Sequence, residues 1–369
     1  MNERRLCLPK ILHASDSLST PISSRIPKPS LLPQISTKAA TMAITTSPPD
    51  PSPSATALLS PKFSQFNITT TTYKIVNGQE IPVHIFIPKN ITPGKHPILA
   101  RFHGGFLITG AALFPDFTAQ WALDYTNLHS AIWVAPDYRL LPESSGLEIL
   151  EDLKDFWVWV KEELPEYLKS IGSVAQPDYE HVMAYGESAG GWLALQTALT
   201  QPDTKAVIAA FPMVDVDSQW YSEKLGNSPF GAPEVPKSVL DEHIAKTAKG
   251  QIAVSGFPPD RVPLALVAIQ QGIFTEILGK DDSLYPLRVL EKMKSDGKRP
   301  FLFTYHGTDD RAVPYTGTQE FARKWEEKFG KESIKATFEP GDHGFGDQAS
   351  LEESWLKEGL ERVTSAWLG

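Results

Sequence analysis

An α/β fold, with a mostly parallel eight-stranded sheet covered by helices on both faces, is what this sequence predicts. Three observations carry the expectation. Eight short β-rich runs are spread between residues 71 and 339, the later ones alternate with amphipathic helical stretches, and one long interval without a strand interrupts the alternation. Alternating strands and helices call for parallel crossover connections, which cover both faces of a sheet. With 369 residues, 41% hydrophobic and 21% charged, the chain is long enough to bury such a core.

Taken in order, residues 1–61 hold 10 Pro and 17 Ser/Thr and no aromatic residue. That is too little apolar surface to offset the entropy of ordering the chain, so the segment is expected to be disordered. Pro9 and Lys10 interrupt Leu6–Leu12, which argues against a secretory signal. The Ser-rich, acid-poor character fits a transit peptide, and it equally fits a translation start at Met42; otherwise a cytoplasmic location is expected. The folded domain is expected to span 62–369. Thr71–Val76 and Ile81–Ile87 flank Asn77-Gly78 and read as a hairpin. Further strands are expected at Ile98–His103, Ala131–Ala135, His181–Tyr185, Ala206–Phe211, Pro300–Tyr305 and Ile334–Glu339, with helices at Gly146–Leu164, Ala189–Thr200, Thr316–Phe329 and Ala349–Trp367. The 83 residues between Asp215 and Arg299 carry helical patterns, Pro and aromatics but no strand. This is too long for a simple connection. It reads as a helical cap, at about 216–299, over the carboxyl ends of the strands, where open α/β sheets bind ligands.

Composition removes several function classes. A lone Cys7 excludes an intrachain disulfide framework and a structural zinc site built on two cysteines, and it fits a reducing compartment. The best apolar run, Val262–Ile269, is short and holds Pro263, far from the roughly 18 residues of a membrane span. Residues 62–369 carry 29 Lys/Arg against 41 Asp/Glu, an acidic balance that disfavours nucleic acid. No metal or other cofactor is expected: His84, His96 and His243 show no ligand spacing, and Gly279-Lys280 has Phe274 where a phosphate loop needs its first Gly.

The strongest local signal is Gly186-Glu187-Ser188-Ala189-Gly190-Gly191, directly after an expected strand and directly before an expected helix. A sharp strand-to-helix turn lifts a Ser hydroxyl above the sheet, and small residues two positions either side let the chain approach itself. Such a hydroxyl becomes a nucleophile only when a base takes its proton, and a carboxylate must orient that base. His343, in the loop Asp342-His343-Gly344-Phe345 after the last strand, is the candidate base. The candidate acid lies in His306-Gly307-Thr308-Asp309-Asp310, and spacing does not choose between Asp309 and Asp310. His306 reads as a loop-fixing residue. Phe102-His103-Gly104-Gly105-Phe106 follows another strand, and its glycine amides, with that of Ala189, could form an oxyanion hole.

These motifs resemble the hormone-sensitive-lipase-like branch of the α/β-hydrolase superfamily, the carboxylesterase group called alpha/beta hydrolase fold three. His103-Gly104-Gly105, Asp137-Tyr138-Arg139-Leu140-Leu141-Pro142-Glu143 and the Ser188 hexapeptide match its motifs in order, over roughly residues 70–369. The resemblance implies the α/β-hydrolase fold with a helical cap, Ser188 as nucleophile, Asp310 as acid and His343 as base. Asp310 is favoured because His306, Gly307, Asp310, Val313 and Pro314 meet an HGxxDxxVP pattern. Phe106 stands in place of a third glycine, and Glu187 in place of the usual Asp.

The function expected is serine hydrolysis of carboxylic esters with small to medium apolar groups, through an acyl-enzyme. Phe106, Phe114, Met213, Trp220 and Tyr221 are candidate pocket residues, with Phe230 and Phe257 beside them. Acyl transfer or thioester cleavage in small-molecule biosynthesis would use the same triad. A peptidase and a non-catalytic ligand-binding protein are weaker alternatives; the second is disfavoured by His343. The expected partner is a small-molecule ester, and oligomeric state is left open.

Overall fold

Eight strands form one sheet in the order β1-β2-β4-β3-β5-β6-β7-β8 in a computed structural model that describes residues 53–369. They are β1 Phe66–Val76, β2 Gln79–Pro88, β3 Gly94–Phe102, β4 Ile132–Pro136, β5 Ala175–Glu187, β6 Ala206–Ala210, β7 Phe301–Gly307 and β8 Ile334–Glu339. β2 pairs antiparallel with β1 and β4, and every pairing from β4 to β8 is parallel. The parallel strands therefore all deliver their carboxyl ends to one rim.

All eight expected strands are present, and β1, β2, β3 and β5 are longer than the pattern indicates. Gly94–Pro97 of β3 pairs with Ala175–Asp178, then the register shifts and Ile98 pairs with Val182. Polar Gln176, Asp178 and Glu180 hide this part of β5 from any apolar-run criterion. The disorder expected over 1–61 lies outside the described residues for 1–52, and it fails for the remainder. Pro53–Leu58 forms helix α1, and a helical turn follows at Pro61–Phe63. Ala57 and Phe63 are buried with Phe86 and Trp133, so two apolar residues tie down a stretch that composition alone reads as unfolded.

The remaining helices are α2 Gln120–Leu128, α3 Gly146–Glu162, α4 Leu164–Ser170, α5 Ala189–Thr200, α6 Gln219–Ser222, α7 Ser238–Lys246, α8 Val262–Gln270, α9 Phe274–Leu278, α10 Pro286–Lys292, α11 Tyr315–Phe329 and α12 Ser354–Leu368. Helix α3 starts on a capping box: Ser145 Oγ accepts from Glu148 N and Glu148 Oε2 accepts from Ser145 N at 2.7 Å. Its buried Ile149, Leu153, Phe156, Trp157 and Val160 recur at helical spacing. Two cores result. Val182 and Ala184 of β5 face the side that holds α3, α5 and α11, while Met183 and Tyr185 face α2 and α12. Helices α6–α10 fill the interval between β6 and β7. Among the described residues no helix is long and apolar enough to cross a membrane.

Candidate active site

Strand β5 ends at Glu187 and helix α5 begins at Ala189, so Ser188 is the whole turn. Its φ of 57° and ψ of −115° lie where side chains other than glycine rarely sit. Neighbours hold it there: Ser188 N donates to Ala210 O at 2.9 Å, and Ser188 O accepts from Met213 N and Trp192 N. The glycines of the motif are steric requirements. A Cβ on Gly186 would fall 2.0 Å from Gly190 O, and one on Gly190 would fall 2.0 Å from Phe102 O and 2.7 Å from His103 O. Gly190→Ala is therefore expected to force the turn away from the end of β3. It should cost about 3 kcal/mol, the upper range for overpacking, measurable by denaturant unfolding, with ester turnover falling alongside.

His343 stands in the loop after β8, and Asp310 in the loop after β7. His343 Nε2 lies 3.1 Å from Ser188 Oγ, and His343 Nδ1 lies 2.7 Å from Asp310 Oδ2. A carboxylate only accepts, so Nδ1 carries the proton and Nε2 is free to accept from the Ser hydroxyl. Asp310 is completely enclosed by donors: Oδ2 also accepts from His306 Nε2 at 2.9 Å, and Oδ1 accepts from Ala312 N and Val313 N, both at 2.8 Å. Burial would raise its pKa, but His306 and then His343 hold this carboxyl well below the usual carboxylate range. Thr318 Oγ1 donates to His306 Nδ1 at 2.8 Å, completing that ring's pairing. Asp309 faces away, accepting from Gly341 N through Oδ2.

Gly104 packs directly on the nucleophile: a Cβ there would be 3.0 Å from Glu187 O and 3.3 Å from Ser188 Cβ. In a planar trans peptide the carbonyl and the next N–H point in opposite directions, so anchoring a carbonyl aims the amide that follows. Tyr138 Oη donates to His103 O at 2.7 Å, which aims Gly104 N–H; His103 Nδ1 donates to Gly104 O at 2.8 Å, which aims Gly105 N–H. Burial lowers the pKa of His103 to about 4, so the ring is neutral at pH 7. It stacks on Tyr138 with centroids 4.3 Å apart. The third amide, of Ala189, is at the amino end of α5, where backbone N–H groups lack helical acceptors.

Support comes from three ion-pair assemblies. Arg101 is fully buried and grips Glu187, itself 4% exposed, with Nε 3.1 Å from Oε2 and Nη2 3.0 Å from Oε1. Nη1 donates to Ala112 O, and Nη2 donates to Phe117 O as well. The pair ties β3 to β5 immediately below the turn. Arg139 pairs with buried Asp152, Glu148 and Glu151 on α3, and Glu143 pairs with Arg261 at the start of α8. The Asp137–Glu143 stretch therefore braces the site from outside it.

A cavity of about 260 Å³ opens onto Ser188 and His343, with Phe106, Phe117, Phe211, Phe230, Val262 and Ala265 among its lining. Phe211 and Phe230 meet the His343 ring edge-on, with centroids 4.9 and 5.5 Å away. Of the expected pocket residues, Phe106 and Phe230 line this cavity and Phe114, Met213, Trp220, Tyr221 and Phe257 do not. Phe114 packs against Phe117 and Phe257, Met213 is fully buried, Trp220 Nε1 donates to Ala312 O, and Tyr221 packs on Phe274. Sequence reasoning passed over Phe117, Phe211, Asp116 and Asp347, all of which line it. A larger, open cleft of about 780 Å³ lies at the opposite ends of β6 and β7, among Lys205, Arg299 and Asp203, remote from Ser188.

Asp347 is the unusual member of the lining. Burial, and after it the Glu187 carboxylate, push its carboxyl up to about 8. The folded chain then binds a proton that the unfolded chain releases above its ordinary carboxyl pKa of about 4, so this group lowers stability as pH rises from 4 to 8. Asp347→Asn is expected to raise Tm more at pH 8 than at pH 5, checked by paired thermal melts.

A family model described as alpha/beta hydrolase fold matches residues 99–256. A probable carboxylesterase of Phoma sp. is 28% identical over 319 residues, covering 83% of this chain and 98% of that one. A probable carboxylesterase of Cochliobolus lunatus is 34% identical over 203 residues, covering 52% of this chain and 90% of that one. A non-reducing polyketide synthase of Stachybotrys bisbyi is 24% identical over 352 residues, which are 83% of this chain and 15% of the synthase.

Proposed function

The chain belongs to the alpha/beta hydrolase fold family and is a carboxylesterase-like serine hydrolase; from that premise we propose that it cleaves carboxylic esters with small apolar groups through an acyl-enzyme on Ser188. The observation that carries this reading is the unbroken relay from Asp310 through His343 to Ser188, at 2.7 and 3.1 Å, on the edge of a small apolar cavity. Ser188 Oγ attacks the ester carbonyl carbon while His343 Nε2 takes its proton. The carbonyl oxygen becomes an oxyanion that accepts from the amides of Gly104, Gly105 and Ala189. Asp310 holds the imidazolium that forms. Collapse of the intermediate breaks the carbon–oxygen bond to the alcohol, which leaves with the proton from Nε2. Water then repeats the sequence on the acyl-enzyme and releases the acid.

The cavity size supports a short acyl chain. Hydrolysis of p-nitrophenyl esters from acetate to decanoate is expected to peak at acetate to butyrate, and a fluorophosphonate is expected to leave its adduct on Ser188 in mass spectra. A peak at decanoate would refute the size limit, and an unlabelled Ser188 would refute the nucleophile. The similarity to a stretch of a polyketide synthase favours a second electrophile, a thioester, which the same donors would serve. Faster turnover of an acyl N-acetylcysteamine thioester than of its oxygen ester would select that reading.

A further inference from the structure

We propose that Asp347 is a specificity-determining residue of this ester pocket, where its carboxyl hydrogen-bonds a hydroxyl group carried by the substrate; the proposal rests on the esterase reading above. Asp347 closes the turn that begins at the candidate base: its N–H donates to Gly344 O at 2.9 Å, and Gly344 directly follows His343. Gly344 has φ +85°, and a Cβ there would be 2.9 Å from Asp347 Oδ2. The base and the carboxyl are thus mounted on one glycine-dependent turn, facing one cavity that also holds Ser188.

The carboxyl serves no structural partner. Oδ1 is out of contact with solvent and finds no hydrogen-bond partner among the described residues. An acceptor buried that way is costly, and native chains rarely leave one without a purpose. Its charged neighbours are already balanced. Arg101 is committed to Glu187, and Lys62, which donates to Pro115 O at 2.9 Å, faces Asp116 as well as Asp347. Within this wall Glu187 is paired by Arg101 and Asp116 faces Lys62, and burial beside Glu187 keeps Asp347 protonated at pH 7. A protonated carboxyl offers one O–H donor and one carbonyl acceptor. The small group that answers both is a hydroxyl. Phe106, Phe117, Phe211, Phe230, Val262, Ala265 and Leu266 make most of the cavity's lining apolar, with Thr109 and Asp116 among its polar members, so the substrate implied is an ester with an apolar body and one hydroxyl away from the scissile bond.

The test compares phenyl acetate, its 3- and 4-hydroxy, methoxy and aminomethyl derivatives, at pH 7, in wild type, Asp347→Leu and Asp347→Asn. Ring electronics act equally in all three proteins, so the informative quantity is each derivative's kcat/KM relative to phenyl acetate, divided by the same ratio in Asp347→Leu. For at least one hydroxyl derivative this quotient is expected to be about 10, the value of one net hydrogen bond, and Asp347→Asn is expected to keep most of it. Quotients near one for both hydroxyl derivatives would overturn the proposal. So would a larger quotient for an aminomethyl derivative, which would mark an ionised carboxylate binding a cation. Fluorophosphonate labelling of Ser188 in each protein separates the levels. If wild type neither labels nor turns over, the esterase reading fails; if all three label and the quotients are flat, only the role of Asp347 fails.

Discussion

Ser188→Ala is expected to lower kcat for a short p-nitrophenyl ester by roughly 10⁴–10⁶-fold, leaving the residual rate that an oxyanion hole and binding supply alone. The substitution removes one oxygen and little else. Ser188 N still donates to Ala210 O, its carbonyl still accepts from Met213 and Trp192, and the backbone at φ 57° demands no more of Ala than of Ser. Stability is accordingly expected to stay within about 1 kcal/mol of wild type, since the only bond lost is that to His343 Nε2, which faces the open cavity. Turnover, covalent labelling and a thermal melt on the same preparation check this. Loss of rate with an unchanged melt assigns the oxygen to chemistry; a variant that keeps a tenth of the rate would remove Ser188 from the mechanism.

The second large effect is at Asp310. Asp310→Asn is expected to lower kcat by about 10⁴-fold, as when a triad base loses its correct tautomer. Here the surroundings make the amide worse than neutral. Donors approach both oxygens, Ala312 N and Val313 N on one side and the rings of His306 and His343 on the other. The amide oxygen must face the fixed N–H donors of Ala312 and Val313, so its NH₂ faces the two rings, which shift tautomer or lose their bonds. Stability is expected to fall by about 1–3 kcal/mol, the cost of an unsatisfied buried group. The wild-type carboxyl also carries a signature in pH. Its folded pKa is depressed, so its contribution is full above the ordinary carboxyl range and drains away as pH falls below about 4. Melts of wild type and Asp310→Asn are thus expected to converge in acid.

The local parts of this site were readable because each is written contiguously. Gly186–Gly191, His103–Gly105 and Asp342–Gly344 each follow a strand, and close backbone approach at Gly104, Gly186 and Gly190 and a positive φ at Gly105 and Gly344 demand glycine at fixed offsets. The sheet was readable for the same reason wherever strands are apolar. What stayed hidden depends on residues far apart in sequence. Arg101 is a charged residue inside β3 whose partner, Glu187, lies 86 residues away in sequence. Phe211 and Asp347 reach the cavity from strand ends that sequence does not bring together, while Met213 and Tyr221 turn into the core. Polarity concealed the first half of β5, and two anchoring residues were enough to order α1 against a disordered composition.

Phe106 occupies a left-handed φ of 57° on the loop that carries the Gly104 and Gly105 amides, and its ring forms part of the pocket wall. Most enzymes can lodge an ill-fitting substrate by yielding a side chain on a remote helix, at the expense of affinity alone. In this protein the ring sits on the residue directly after the Gly104 and Gly105 donors of the same backbone. A substrate that displaces Phe106 also rotates the donors, so discrimination against bulk falls on kcat as well as KM. Saturation with a bulky ester is therefore expected not to restore the rate of a small one, which kcat measured across esters of increasing bulk checks.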